Sequence, residues 1–222
     1  MLLELERILL IEYGKKMIQE GLTRGTGGNL SVCDSEHKKM AITPSGIDYF
    51  SLKPEDIVIL DIPTGKIIEG SQIPSSESDM HRIFYKYRKD ISALVHTHSK
   101  YATAVSCLEQ DGLPAIDYLL ASAGTYVPCA EYATYGTVSL ARNAYKAMEG
   151  KKAVLLSNHG AIAGGNDLAE AYHIAETVEF CSEIYCISKS CGSVKILPEE
   201  EMKHMMIRFQ NYGKRIEEHD EI

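Results

Sequence analysis

Strand-like segments packed close together restrict the fold more than any other feature. Apolar, β-prone runs at 30–33, 40–43, 57–61 and 66–69 succeed one another, separated by turn signals such as "PSG" and "PTG". Parallel neighbours need a crossover of a dozen or more residues, whereas antiparallel neighbours can be joined by short turns. The expected fold class is therefore α/β: a central mixed, mostly antiparallel sheet flanked by helices, in a single domain over residues 1–222.

Helical patterns lie around these runs. Over 2–20, Leu3, Leu10 and Met17 recur every seven residues and Gly21 sits at the capping position. Further helices are expected from about 76, near 100–109, and at 137–149, 167–189 and 198–218. Strands are expected at 91–97, 153–157 and 160–164, with a Gly/Pro-rich section over 112–136. Ser76 and Asp79 have the spacing of a capping box at the start of the second helix.

A formal charge of -8 argues against nucleic acid or an anionic membrane as partner, because neutralising phosphates needs surplus Lys and Arg. The six cysteines form no CxxC pair and read as free thiols in a reducing compartment. Glu4, Glu6, Arg7 and Glu12 interrupt the apolar patch at the start, which excludes a signal or membrane segment there. The expected location is cytoplasmic.

"LVHTHSK" carries two histidines at the end of an apolar run. Side chains two apart on a strand share a face, so His96 and His98 can reach one ion while Thr97 turns away. "SNHG" offers His159 after a second buried strand, and Glu77 at a helix start offers a carboxylate. Three imidazoles and a carboxylate suit zinc. Spacing alone leaves two readings open, a metal site or ordinary strand and turn histidines. The other histidines (His37, His81, His173, His204, His219) stand beside charged residues and read as solvated or helix-face side chains.

A second constellation suits an anion. "TRGTGGN" has glycines that free backbone N–H groups to converge, but no GK[ST] follows it. "TPSG" and "PSSE" add hydroxyls, the second at a helix N-terminus whose dipole favours phosphate. Taken singly, each loop reads equally well as a turn or a cap.

Jointly and in order, "GTGGNLSV", "ITPSGI", "PSSESDMH", "VHTHSKYATA", "LPAIDY", "PCAEYATYGT", "LLSNHGAI" and "YGKRIEE" resemble the class II aldolase/adducin family, most closely its L-fuculose-1-phosphate aldolase branch. The resemblance spans nearly the whole chain. It implies a homotetramer with active sites at subunit interfaces and one zinc ion per subunit, held by His96, His98, His159 and, at rest, Glu77. Glu77 also matches the acid/base. Gly28, Asn29, Ser45, Gly46, Ser75 and Ser76 match positions that hold a phosphorylated sugar. Tyr118 matches a tyrosine that acts on the aldehyde oxygen from a neighbouring subunit, and Tyr135 and Tyr212 match aromatic positions bordering the site.

The implied reaction is reversible cleavage of a ketose 1-phosphate to dihydroxyacetone phosphate and a short aldehyde, L-lactaldehyde for L-fuculose 1-phosphate. No lysine is called for if a metal stabilises the enediolate. Asn158 departs from the fuculose-phosphate branch, which often has histidine there, and Arg24 and Asp117 match no role. L-Ribulose-5-phosphate 4-epimerase shares the pattern but typically has Asp in place of Glu77. A deoxypentulose-phosphate aldolase, a sugar-phosphate dehydratase and a non-catalytic adducin-like module are the other readings.

Overall fold

A computed structural model describes residues 1–211. Tyr212, His219 and the end of the helix expected over 198–218 lie outside the described residues.

The strands are β1 (Asn29–Cys33), β2 (Lys39–Ile42), β3 (Val58–Asp61), β4 (Ile67–Glu69), β5 (Ala93–Thr97), β6 (Gly112–Leu113), β7 (Val127–Ala130), β8 (Ala153–Leu156) and β9 (Gly160–Gly165). They form one sheet in the order β4-β3-β2-β1-β5-β9-β8-β7-β6. Every pairing is antiparallel except β7 with β8, which is parallel. That exception has a covalent cause: helix α4 (Val138–Ala147) lies between the two strands in sequence and supplies the crossover.

The remaining helices are α1 (Glu4–Gln19), α2 (Ser78–Tyr87), α3 (Lys100–Ser106), α5 (Leu168–Cys191) and α6 (Glu199–Asn211). Two apolar cores lie on opposite faces of the sheet. Leu30, Ala41, Ile59, Val95, Leu155 and Ala161 pack toward α1, α3 and α5. Met40, Ile42, Leu60, Leu94, Val154 and Ile162 pack toward Phe84 of α2 and Ala144 of α4. Side chains alternate between faces along each strand. Burial on both faces therefore explains why β5 and β8 read as continuous apolar runs rather than alternating ones. Among the described residues no helix is long and apolar enough to cross a membrane.

Two expectations need correction. The capping box does not form: α2 has Glu77 at its N-cap with no side-chain cap. Instead the Ser75 hydroxyl accepts the Glu77 N–H at 3.2 Å, which leaves the Glu77 carboxylate free to turn away from its own helix. The Gly/Pro-rich section holds β6, β7 and a 3-10 turn (Tyr118–Ser122). Pro128 inside β7 and the two-residue length of β6 hid these strands.

Candidate metal centre and substrate cavity

The sheet brings the ends of three central strands together. Asn29, which opens β1, pairs with His96 near the end of β5. His96 pairs in turn with Ile162, and Thr97 with Ala161, of β9. His98 lies just past β5, and His159 sits in the three-residue loop between β8 and β9. Asn158 takes a left-handed backbone (φ 53°) that asparagine tolerates, so the loop closes tightly before His159. A Cβ at Gly160 would lie 2.2 Å from the Thr97 carbonyl, so only glycine lets the two histidine-bearing segments approach this closely.

Ligand atoms of Glu77, His96, His98 and His159 all lie within 4.8 Å of one another. His96 Nε2 is 2.9 Å from His98 Nε2, which is 3.1 Å from His159 Nε2. Glu77 Oε2 lies 3.0 Å from His96 Nε2, and its Oε1 lies 3.5 Å from His159 Nε2.

Hydrogen bonding alone does not satisfy this arrangement. His96 Nδ1 is 2.9 Å from the Ala161 carbonyl, which only accepts, so Nδ1 carries the proton. In neutral His96, Nε2 then presents a lone pair to a carboxylate oxygen. Two electron-rich atoms that close need a cation between them, either a second proton on His96 or a metal ion. Glu77 Oε1 is buried and has no hydrogen-bond partner, a costly state for a carboxylate oxygen unless an ion completes it. The donor set therefore fits a divalent metal of the zinc kind.

Electrostatics agree with the geometry. Burial would raise the Glu77 carboxyl, but His96, His159 and the Asn29 amide hold it far below the usual carboxylate range. Burial and then the proximity of His96 push His98 down to about 3 and His159 to about 4, so both present neutral, ligating nitrogens. His96 goes the other way: burial opposes its protonation, but the charge of Glu77 outweighs burial and raises it.

Beside the cluster opens a cavity of about 390 Å³. Gly28, Asn29, Ser45, Gly46, Ser75 and Ser76 all line it, together with Glu77, His98 and His159. The sheet builds this wall: Pro44 and Pro74 form an antiparallel bridge, and Ser45 N donates to Ile73 O at 2.9 Å, zipping the "TPSG" and "PSSE" loops together. Tyr49 OH donates to Gly28 O at 2.9 Å and anchors the glycine loop. Gly28 itself has φ 67°, and a Cβ there would meet His96 O at 2.6 Å. No Lys or Arg is among the described lining residues, so amides and hydroxyls make the anion-binding surface.

Tyr135 and Asn158 line the same cavity, as does Tyr132, whose place there sequence reasoning missed. Tyr118 lines a separate, larger cavity beside α6, with its ring centroid 6.3 Å from that of Phe209. Asp117 accepts from Leu119 N at 2.9 Å and caps the 3-10 turn that carries Tyr118.

His81 overturns the expectation of a solvated histidine. It is fully buried, with Nε2 2.6 Å from Asn29 Oδ1 and Nδ1 2.6 Å from Ser31 Oγ. Met80, His81, Phe84 and Tyr85 form the buried stripe of α2. That i, i+3, i+4 pattern was the available signal, masked by Asp79 and Arg82 alongside.

Residues 8–186 match the family described as Class II Aldolase and Adducin N-terminal domain. The chain belongs to the class II aldolase family. It is 51% identical over 215 residues to a 5-deoxy-D-ribulose 1-phosphate aldolase of Bacillus thuringiensis serovar kurstaki, covering 97% of this chain and 100% of that one. It is 40% identical over 211 residues to the L-fuculose phosphate aldolase of Escherichia coli K12, covering 94% and 96%. A solved structure named L-fuculose 1-phosphate aldolase superposes with a TM-score of 0.89 at 53% identity, covering 92% of this chain and 96% of that one. This aldolase is thus a carbon–carbon lyase on a mixed sheet with a four-residue cluster able to hold the metal on which its class depends.

Proposed function

We propose that this aldolase cleaves a 5-deoxypentulose 1-phosphate to dihydroxyacetone phosphate and acetaldehyde, and catalyses the reverse condensation. The observation that carries the reading is the 51% identity, end to end, to an aldolase named for 5-deoxy-D-ribulose 1-phosphate. L-Fuculose 1-phosphate, which would release L-lactaldehyde, is the second substrate, supported by the solved structure of that name. Asn158, where the fuculose-phosphate branch often has histidine, supports placing it second.

Zinc is the proposed metal, held by Glu77, His96, His98 and His159. When bound it supplies Lewis-acid stabilisation of the negative charge that develops on C3 and the C2 oxygen as the C3–C4 bond breaks. The residues of the chain do the rest. Gly28, Ser45, Gly46, Ser75 and Ser76 hold the phosphate and position C3 using binding energy remote from the reacting bond. The electron pair of the breaking bond stays with the three-carbon fragment, and Glu77 delivers a proton to C3. Tyr118 of a neighbouring subunit takes the C4 hydroxyl proton onto its oxygen as the aldehyde forms and passes its own phenolic proton to solvent. The Glu77 carboxylate takes up from solvent the proton it delivers, so that the net change is one proton moved from the C4 oxygen to C3. Its position outside the cavity of its own chain supports a homotetramer with shared sites. The proposed location is cytoplasmic.

The test is a panel of 5-deoxyribulose, 5-methylthioribulose and L-fuculose 1-phosphates with L-ribulose 5-phosphate, monitoring dihydroxyacetone phosphate release and epimer formation. The expected result is highest kcat/KM on the 5-deoxypentulose phosphate and no epimer. Glu77→Gln should retain binding of a phosphorylated inhibitor but lose about 10²–10⁴-fold in kcat. Epimerisation without cleavage, or wild-type turnover by Glu77→Gln, refutes the reading.

A further inference from the structure

The mechanism above leaves unused a buried line of polar groups behind Glu77. Asn29 Nδ2 donates to Glu77 Oε2 at 3.0 Å, and Asn29 Oδ1 lies 2.6 Å from His81 Nε2. His81 Nδ1 lies 2.6 Å from Ser31 Oγ, which is itself 2.6 Å from Tyr85 OH. Ser31, His81 and Tyr85 are fully buried, and Asn29 and Glu77 are each 5% exposed.

Every hydrogen between Glu77 and Ser31 has one place with His81 neutral. A carboxylate only accepts, so Asn29 presents its amide N–H to Glu77 and its oxygen to His81. That oxygen only accepts, so His81 carries its proton on Nε2. Nδ1 must then accept, and the Ser31 hydroxyl donates to it. Tyr85 closes the line: its hydroxyl lies 2.6 Å from Ser31 Oγ and can donate there or to the Ser31 backbone carbonyl at 2.9 Å. From Ser31 inward the donors point toward Glu77, and they come from β1 and α2.

We propose that His81 is a positioning residue for turnover: it fixes the Asn29 amide so that its N–H, never its oxygen, faces Glu77 Oε2, leaving Oε1 as the working oxygen. This inference rests on the reading of Glu77 as acid/base. If the amide turned over, two acceptors would face each other at 3.0 Å and the carboxylate would be driven from its rotamer. Ser31 contributes by selecting the imidazole tautomer, in the way that partners of metal-site histidines orient the groups ahead of them.

The experiment compares His81→Gln, which keeps a donor at the reach of Nε2, with His81→Asn, which ends short, and His81→Leu, which has none. Each is purified as the metal-loaded enzyme with bound metal quantified, and ketose 1-phosphate cleavage is expressed per bound metal. The expected result is a kcat about 10–100-fold down in His81→Asn and His81→Leu with KM within about twofold of wild type, and kcat largely restored in His81→Gln. In an Asn29→Ala background, His81→Asn should cost less than about twofold more, because the group it positions has gone. Equal behaviour of the Gln and Asn variants, wild-type kcat in His81→Asn, or losses that multiply with Asn29→Ala overturns the proposal, and the Gln–Asn comparison stands even if His81→Leu does not fold. Glu77→Gln is the control. Its retention of activity would fault the acid/base reading, whereas an inactive Glu77→Gln beside normal His81 variants faults only the positioning role.

Discussion

At the scale of single residues, His96 controls how the centre takes up metal. It is fully buried, its Nδ1 proton is committed to Ala161, and Glu77 raises its affinity for a second proton. Below the raised His96 pKa, that proton competes with metal. His98 at about 3 and His159 at about 4 do not compete until far lower pH. Metal affinity should therefore rise about tenfold per pH unit up to the His96 pKa and level off above it. Calorimetry at pH 6 in buffers of different ionisation enthalpy should count about one proton released per ion, and His96→Ala should bind no metal tightly. Release of three protons would contradict this account. The two-residue spacing made His96 and His98 legible as a pair with two readings open, and the family resemblance was what joined them to His159 and Glu77 as a ligand set. His81 was not legible, because its burial depends on Ser31, a residue 50 positions away that no local pattern links to it.

At the scale of elements, the site depends on helices that serve their neighbours. Ser99 precedes α3 and makes no side-chain cap. The Glu179 carboxylate of α5 takes that role, accepting from Tyr101 N at 2.9 Å and Ala102 N at 2.8 Å. It meets the positive end of a helix that begins two residues after His98. Glu179→Gln loses the charge and one acceptor and should cost about 1–2 kcal/mol of stability. Thermal unfolding of the metal-free and metal-loaded forms should show the larger loss in the loaded form, because His98 is held less firmly. An equal loss in both would separate the cap from the metal. Most elements were legible from their periodicity. The 112–136 section was not, since a two-residue strand and a strand containing proline exist only through their partners β7 and β8.

Across the whole molecule, the buried line behind Glu77 has a cost in acid. Burial pushes His81 down to about 3 from an ordinary 6.5, so the unfolded chain binds a proton that the native state refuses. Its contribution to stability is complete above pH 6.5 and is lost as the pH falls toward 3, a change on the order of 5 kcal/mol. His81→Gln cannot titrate. The stability gap between wild type and this variant, from denaturant unfolding, should therefore narrow steadily from pH 7 to pH 4. A constant gap would show that the imidazole is not held neutral. The sheet architecture and its two cores followed from turn spacing and apolar runs. Contacts between distant segments had to be seen.

The wall that receives the phosphate also sets how the enzyme responds to its medium. It offers amides and hydroxyls and no guanidinium or ammonium among the described lining residues, on a chain whose formal charge is -8. Raising ionic strength from about 0.01 to 0.15 M shortens the Debye length from roughly 30 to 8 Å. In an arginine-lined pocket that screening would weaken capture of the dianion. Here it should instead relieve repulsion at a distance, so KM should hold steady or fall with added potassium chloride. Such an enzyme would work undisturbed through swings in salt that blunt competitors built on fixed cations.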